Sequence, residues 1–216
     1  MQSDILWKAA ILTAIVFVAG IGMGAWLDVS RVGSVQGRLT DIDLQWNDVR
    51  LQSLYSGSSN GSVSCEAAIR ANLDFNDKIY AEGQTIERYE EINRFDPDLI
   101  QQKKRYALLQ FQFWLNSMDL KKRCAANYTV LTYFYSYYNK SVEMDQKLQS
   151  AVLLDVKNKC GNSVLLVPLP SDLDLTSIDL LKGTYGVSSA PSILVDDSKV
   201  LSGLQGLPQV EAAVKC

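Results

Sequence analysis

The sequence predicts an α/β C-terminal domain with the element order β-α-β-α-β-β-α, preceded by an N-terminal transmembrane helix and an α-helical hairpin region. Three observations carry this. Residues 9–27 hold no charge. Residues 28 to about 125 repeat their apolar positions at steps of three and four. From Tyr128 onward the apolar residues gather into short β-branched and aromatic runs parted by turn residues. The chain divides accordingly into a tail over 1–8, a membrane span over 9–27, a juxtamembrane helix over 28–58, a helical hairpin over 59–125 and the C-terminal domain over 126–216.

The span reads AAILTAIVFVAGIGMGAWL, with Trp7 and Trp26 placed as interfacial anchors. Its length exceeds the ~7–15 residue core of a cleaved leader, the rival reading of the same stretch. Gly20 and Gly24 form one Gly-x-x-x-Gly, a spacing that lets two helices approach closely and offers a homodimer contact. Val32, Val35, Leu39, Ile42, Trp46 and Val49 then form a heptad-like stripe, widened by Leu44, Leu51 and Leu54. Such a stripe packs on its own domain or seams a parallel dimer stalk.

Ser56 to Ser64 is a Ser/Gly/Asn loop. Helical spacing resumes at Cys65 and runs to about Asn93. Asp96-Pro97 marks the next helix start. That helix runs to about Arg123 with Ile100, Tyr106, Leu109, Phe113 and Trp114 inward and Lys103, Lys104 and Arg105 outward. Lys121, Lys122 and Arg123 suit the negative end of its dipole. Val130 to Tyr135 is a strand. Val142 to Cys160 is a helix with Met144, Leu148, Val152, Leu153 and Val156 inward. Ser163 to Pro168 is a central strand, Leu175 to Thr184 a short helix, Ser192 to Val195 and Lys199 to Ser202 a hairpin, and Pro208 to Cys216 the last helix.

Composition removes several function classes. The 216 residues carry a formal net charge of −3 and no histidine. Serine or cysteine catalysis through an imidazole, His-ligated metal sites and imidazole pH switching are therefore excluded. No long basic run is present to neutralise phosphates, so no nucleic-acid partner is expected. No cofactor and no metal site is indicated.

Tyr185-Gly-Val-Ser-Ser-Ala-Pro-Ser-Ile-Leu-Val195, with Ala190-Pro191 at its centre, resembles the cis-proline turn of the thioredoxin-like superfamily. The resemblance covers about residues 126–216. It implies a cis peptide bond at Pro191 and a dithiol where the first strand meets the first helix. That stretch here is Thr132-Tyr-Phe-Tyr-Ser-Tyr-Tyr followed by Asn139, Lys140, Ser141 and Val142, and it holds no cysteine. Asn139 would stand in place of the attacking cysteine and Val142 of the resolving one, and neither side chain forms a mixed disulfide. A second family role is pairing of the turn's backbone with an extended peptide. Ser189, Ala190 and Pro191 would supply that loop, and Tyr135, Tyr137 and Tyr138 an aromatic wall.

Four cysteines permit two disulfides in three connectivities. A helix hairpin brings Cys65 to Cys124. The family resemblance puts Cys160 and Cys216 on two helices that share one face of the sheet. Free buried thiols are the alternative. Asn60, Asn127 and Asn139 open glycosylation sequons. With the cysteines they place the C-terminal domain outside a single-pass cell membrane, against a weak opposite bias from Lys8, Arg31 and Arg38.

These readings together favour a membrane-anchored, extracytoplasmic thioredoxin-like protein without redox dithiol. It would act as a binding or scaffold module for a protein client in folding or assembly, with the lipid bilayer as its other partner. A binding role is favoured over an enzyme. The alternatives are a thiol-disulfide oxidoreductase using Cys160 or Cys216, and a structural subunit of a membrane complex.

Overall fold

Leu39, Ile42, Trp46 and Val49 recur at helical spacing, and the helix they belong to, α1, runs unbroken over Gln2–Ser58. A computed structural model describes the backbone of residues 2–58, 62–93 and 97–216. Within these it describes the side chains outside 2–6, 9, 25–36, 56–58, 62–63, 89–93 and 97–98. α2 covers Ser62–Asn93 and α3 covers Pro97–Cys124. Val32 and Val35 of the expected stripe lie outside the described side chains. The rest of it is buried, and it packs on its own chain. Trp46 sits 5.2 Å from the ring of Phe75 on α2, and Phe75 sits 5.8 Å from Phe113 on α3. The Trp46 indole donates to Gln112 Oε1 at 2.6 Å.

The transmembrane helix expected over 9–27 is corrected by this structure. Among the described residues no helix is long and apolar enough to cross a membrane. Ala9 and residues 25–27 lie outside the described side chains. The single-pass cell-membrane localisation with an extracytoplasmic C-terminal domain rested on that span and is corrected with it.

β-branched and aromatic residues resume at Thr129. β1 is Thr129–Tyr135, α4 Glu143–Cys160, β2 Val164–Pro170, α5 Thr176–Tyr185, β3 Ser192–Val195, β4 Lys199–Ser202 and α6 Leu207–Glu211. The strands form one sheet in the order β2-β1-β3-β4. β1 and β2 are parallel with Thr129 opposite Val164, while β3 is antiparallel to both β1 and β4. Ser171 N donates to Tyr135 O at 2.7 Å, so by the period of two the amide positions of 168 and 170 point away from β1. Both are proline. The outer edge of β2 therefore lacks two donors.

Alternation along the strands feeds two cores. Leu131, Tyr133, Val164, Ile193 and Val195 face α4 and α6, where Leu153, Val156 and Val210 are buried. Val130, Phe134, Leu165, Val167 and Leu194 face the other way, into the same cluster as Leu39, Trp46, Phe75, Phe113 and Trp114. The expected fold class is corrected here as well. The chain is mostly helical with a small mixed sheet, and the helices are not a part appended to an α/β domain. The reason is physical: one face of the sheet has only the short α5 from its own segment, and α2 and α3, themselves packed on α1, cover the remaining apolar surface.

Three packing details depart from the sequence pattern. Lys103 is buried. Met144 and Leu148 stand exposed on α4, while Gln146 and Gln149 take the buried face. Leu44, Leu51 and Leu54 do not widen the buried stripe of α1 but stay exposed. All four cysteines are paired, Cys65 with Cys124 and Cys160 with Cys216, with Cα separations of 5.5 and 4.8 Å. The first joins the start of α2 to the end of α3. The second joins the end of α4 to the segment after α6.

Candidate functional site

Phe134 lies opposite Ser192 in the β1–β3 ladder, and Tyr135 opposite Pro170 in the β1–β2 ladder. Three segments consequently leave the sheet at one end: 136–142 after β1, 171–175 after β2, and 188–191 before β3. The Ala190–Pro191 bond is cis. Pro191 is buried, and its carbonyl accepts from Gly203 N at 2.9 Å. The Ser189 carbonyl accepts from Ser192 Oγ at 2.7 Å. No hydrogen bond among the described residues engages the Ala190 N–H or C=O.

The 136–142 segment is held by an aspartate that the sequence reading did not single out. Asp172 accepts from Tyr137 N at 2.6 Å and Tyr138 N at 3.0 Å, and Ser136 Oγ donates to its second oxygen. Ser136 Oγ in turn accepts from Asn139 N at 3.0 Å. The signal was local: Pro170-Ser-Asp-Leu-Asp is a turn sequence directly after a strand, where an aspartate commonly satisfies loose backbone amides.

Asn139 is exposed and caps the helical turn Lys140–Val142. Its Oδ1 accepts from Ser141 N at 3.0 Å and Ser141 Oγ at 2.7 Å. Lys140 and Ser141 are exposed and Val142 is half-buried. This turn leads directly into α4, so Asn139 stands at the start of a continuous helical run.

The expected aromatic wall is only partly available. Tyr137 is 1% exposed and Tyr138 is 47% exposed, their rings 4.9 Å apart at 83°. Tyr135 stacks on Tyr133 at 5.9 Å. The Lys103 ammonium lies 4.9 Å from the Tyr137 ring centroid and 5.5 Å from that of Tyr135, a cation–π contact on its inward side. Burial pushes the Tyr133 hydroxyl up to about 12, against a hydrogen bond with Ser150 that lowers it. That phenol stays neutral and serves packing, its Oη donating to Gln146 O at 3.1 Å.

The other expected site residues are spread out. Cys160 and Cys216 are at the far ends of α4 and the chain, and neither is a free thiol. Asn127 is exposed, two residues before β1, and Asn60 lies outside the described residues. A β-carbon at Gly20 or Gly24 would meet no atom within 4 Å. The concave surface is elsewhere, along α1 and α2, where Arg38, Asp41, Glu82 and Arg88 line one groove. Burial raises the Glu82 carboxyl, with Arg38 opposing. Among the described residues no cluster of three Cys, Asp or Glu could hold a metal ion.

No family model matches the chain, and no curated protein is similar to it. A solved structure titled "Structure of a malarial protein" is 18% identical over 40% of this chain and 93% of its own, with a TM-score of 0.31. At that level it carries no argument about fold or function.

Proposed function

We propose that the sheet segment is a thioredoxin-like module without a dithiol, which holds an extended stretch of a client protein during folding or assembly. The observation that carries this reading is the Ala190 main chain. Its N–H and C=O make no hydrogen bond among the described residues, at the sheet end where Tyr138 is exposed. An extended peptide satisfies such groups by strand-like pairing. The strand order β2-β1-β3-β4, with a parallel β1–β2 pair and a cis-proline before β3, supports the thioredoxin-like comparison. Asn139 at the start of the helical run supports binding over redox chemistry, since a carboxamide has no thiolate to attack a disulfide.

Titrating isotopically labelled protein with a pool of unstructured peptides tests this. The amide resonances of Ser189, Ala190 and Tyr138 are expected to shift together and saturate. Shifts confined to other regions, or turnover of disulfide substrates by the purified protein, would overturn the reading.

A further inference from the structure

The face that α3 turns to the sheet is polar for a buried one. Lys103, Gln110, Trp114 and Ser117 fall within roughly 60° of one another at 100° per residue. Tyr128 Oη, just before β1, donates to Ser117 O at 2.8 Å, and the Lys103 ammonium lies 5.5 Å from the Tyr135 ring at the other end of the strand. α3 therefore runs antiparallel to β1, and Gln110, seven residues from either tie, comes over the middle of the strand. The middle residue of β1 is Thr132. Alternation points it to the α3 side with Val130 and Phe134, and its partners across the sheet are Val167 and Leu194. This interface holds three polar side-chain atoms with no hydrogen bond among the described residues: Gln110 Oε1, Trp114 Nε1 and Thr132 Oγ1. Their residues are 1%, 5% and 0% exposed.

We propose that one ordered water molecule is bound between α3 and β1 by these three groups. The chemistry of the set selects it. Tyr106 Oη gives its proton to Ile79 O at 2.9 Å, so toward Gln110 it can only accept, and Gln110 Nε2 donates to it at 2.6 Å. That fixes the orientation of the amide and leaves Oε1 as an acceptor. Trp114 Nε1 is a donor only, and the Thr132 hydroxyl is both. An anion would face the Gln110 carbonyl oxygen and a cation the Trp114 N–H, each with the wrong sign. A small neutral molecule that accepts one bond and donates another fits, and Ala107, on the same side of α3, adds only a methyl group. Buried water typically makes about three hydrogen bonds to groups of this kind. The water completes a polar thread from Ile79 O on α2, through Tyr106 and Gln110 on α3, to Thr132 on β1. It fixes where α3 sits along a strand whose other side chains on that face are apolar.

Water–protein Overhauser spectroscopy on the isotopically labelled full chain tests the site. The Trp114 indole proton is expected to show a cross-peak to water with the sign of a long-lived, protein-bound molecule. Thr132→Val then separates a wet interface from a dry one, because the two side chains have nearly the same shape. Where water is held, the valine removes one of its partners, and the urea midpoint should fall by roughly 0.3–0.5 M at constant slope. In a dry interface the substitution removes an unpaired hydroxyl, and the midpoint should stay or rise. The Overhauser measurement uses the unsubstituted chain and stands even if the valine variant fails to fold. No cross-peak at the Trp114 indole, or a midpoint unchanged or raised by Thr132→Val, would overturn the proposal.

Discussion

Gly83 on α2 leaves space that another side chain uses. A β-carbon there would overlap the Tyr106 hydroxyl and lie 3.1 Å from its ring carbon Cζ. Tyr106 is buried; it donates to Ile79 O at 2.9 Å and accepts from Gln110 Nε2 at 2.6 Å. Gly83→Ala gains up to about 1 kcal/mol of helix propensity but must displace that ring and its hydrogen bonds. Overpacking typically costs about 1–3 kcal/mol, so a net loss of up to about 2 kcal/mol is expected in urea unfolding. Gly183→Ala on α5 meets nothing within 4 Å and should instead gain a few tenths to about 1 kcal/mol. Residue-scale features of this kind were the least legible in the sequence. Lys103 stood in a Lys-Lys-Arg run that reads as a wet face, yet it turns inward against two tyrosine rings brought by another element. Gln149 is buried because its Oε1 accepts from Gln205 N at 2.7 Å, a contact 56 residues away that periodicity does not encode.

Elements were far more legible. β3 and β4 begin and end at the residues expected from the apolar run and the Asp196-Asp197-Ser198 turn, and α2 and α3 match to within a few residues. Each of these carries its own punctuation, so tertiary context had little to override. The segment 136–142 is different. It has the aromatic composition of a strand but is shaped by one carboxylate. Asp172→Ala removes an ionised acceptor from two backbone amides and a hydroxyl at once. Such bonds are each worth about 1.5–3 kcal/mol, and water recovers part of that in a half-exposed loop. A loss of about 1–3 kcal/mol is expected. Hydrogen exchange at Tyr137 and Tyr138 should rise well beyond that of β1, whereas equal acceleration throughout the sheet would assign Asp172 to global stability alone.

The whole molecule is stapled at two places. Cys65–Cys124 and Cys160–Cys216 close loops with sequence separations of 59 and 56. In the chain-entropy model each is worth about 4 kcal/mol. Replacing either pair by serine should lower the unfolding free energy by up to that amount, read as a shift of the urea midpoint at constant slope; an unchanged midpoint would mean that the pair adds nothing. The Cys65–Cys124 staple was readable from the helix ends. The architecture as a whole was not, because the near-continuous apolar runs of β1 and β2 say that both faces are covered but not by what. The second cover proved to be α2 and α3, backed by α1, whose sequence reads equally well as a separate unit.

Pro168 and Pro170 also determine how this sheet behaves in crowded solution. A stray strand from a partly unfolded neighbour can extend a sheet only where it finds donors and acceptors in step. On the β2 flank the donors at two alternate positions do not exist, so recruitment stalls there. Among the described residues the other edge strand is β4, four residues long with Lys199 at its start. Aggregates seeded by the native sheet would therefore grow from one side alone, and removing the two prolines would make growth two-sided.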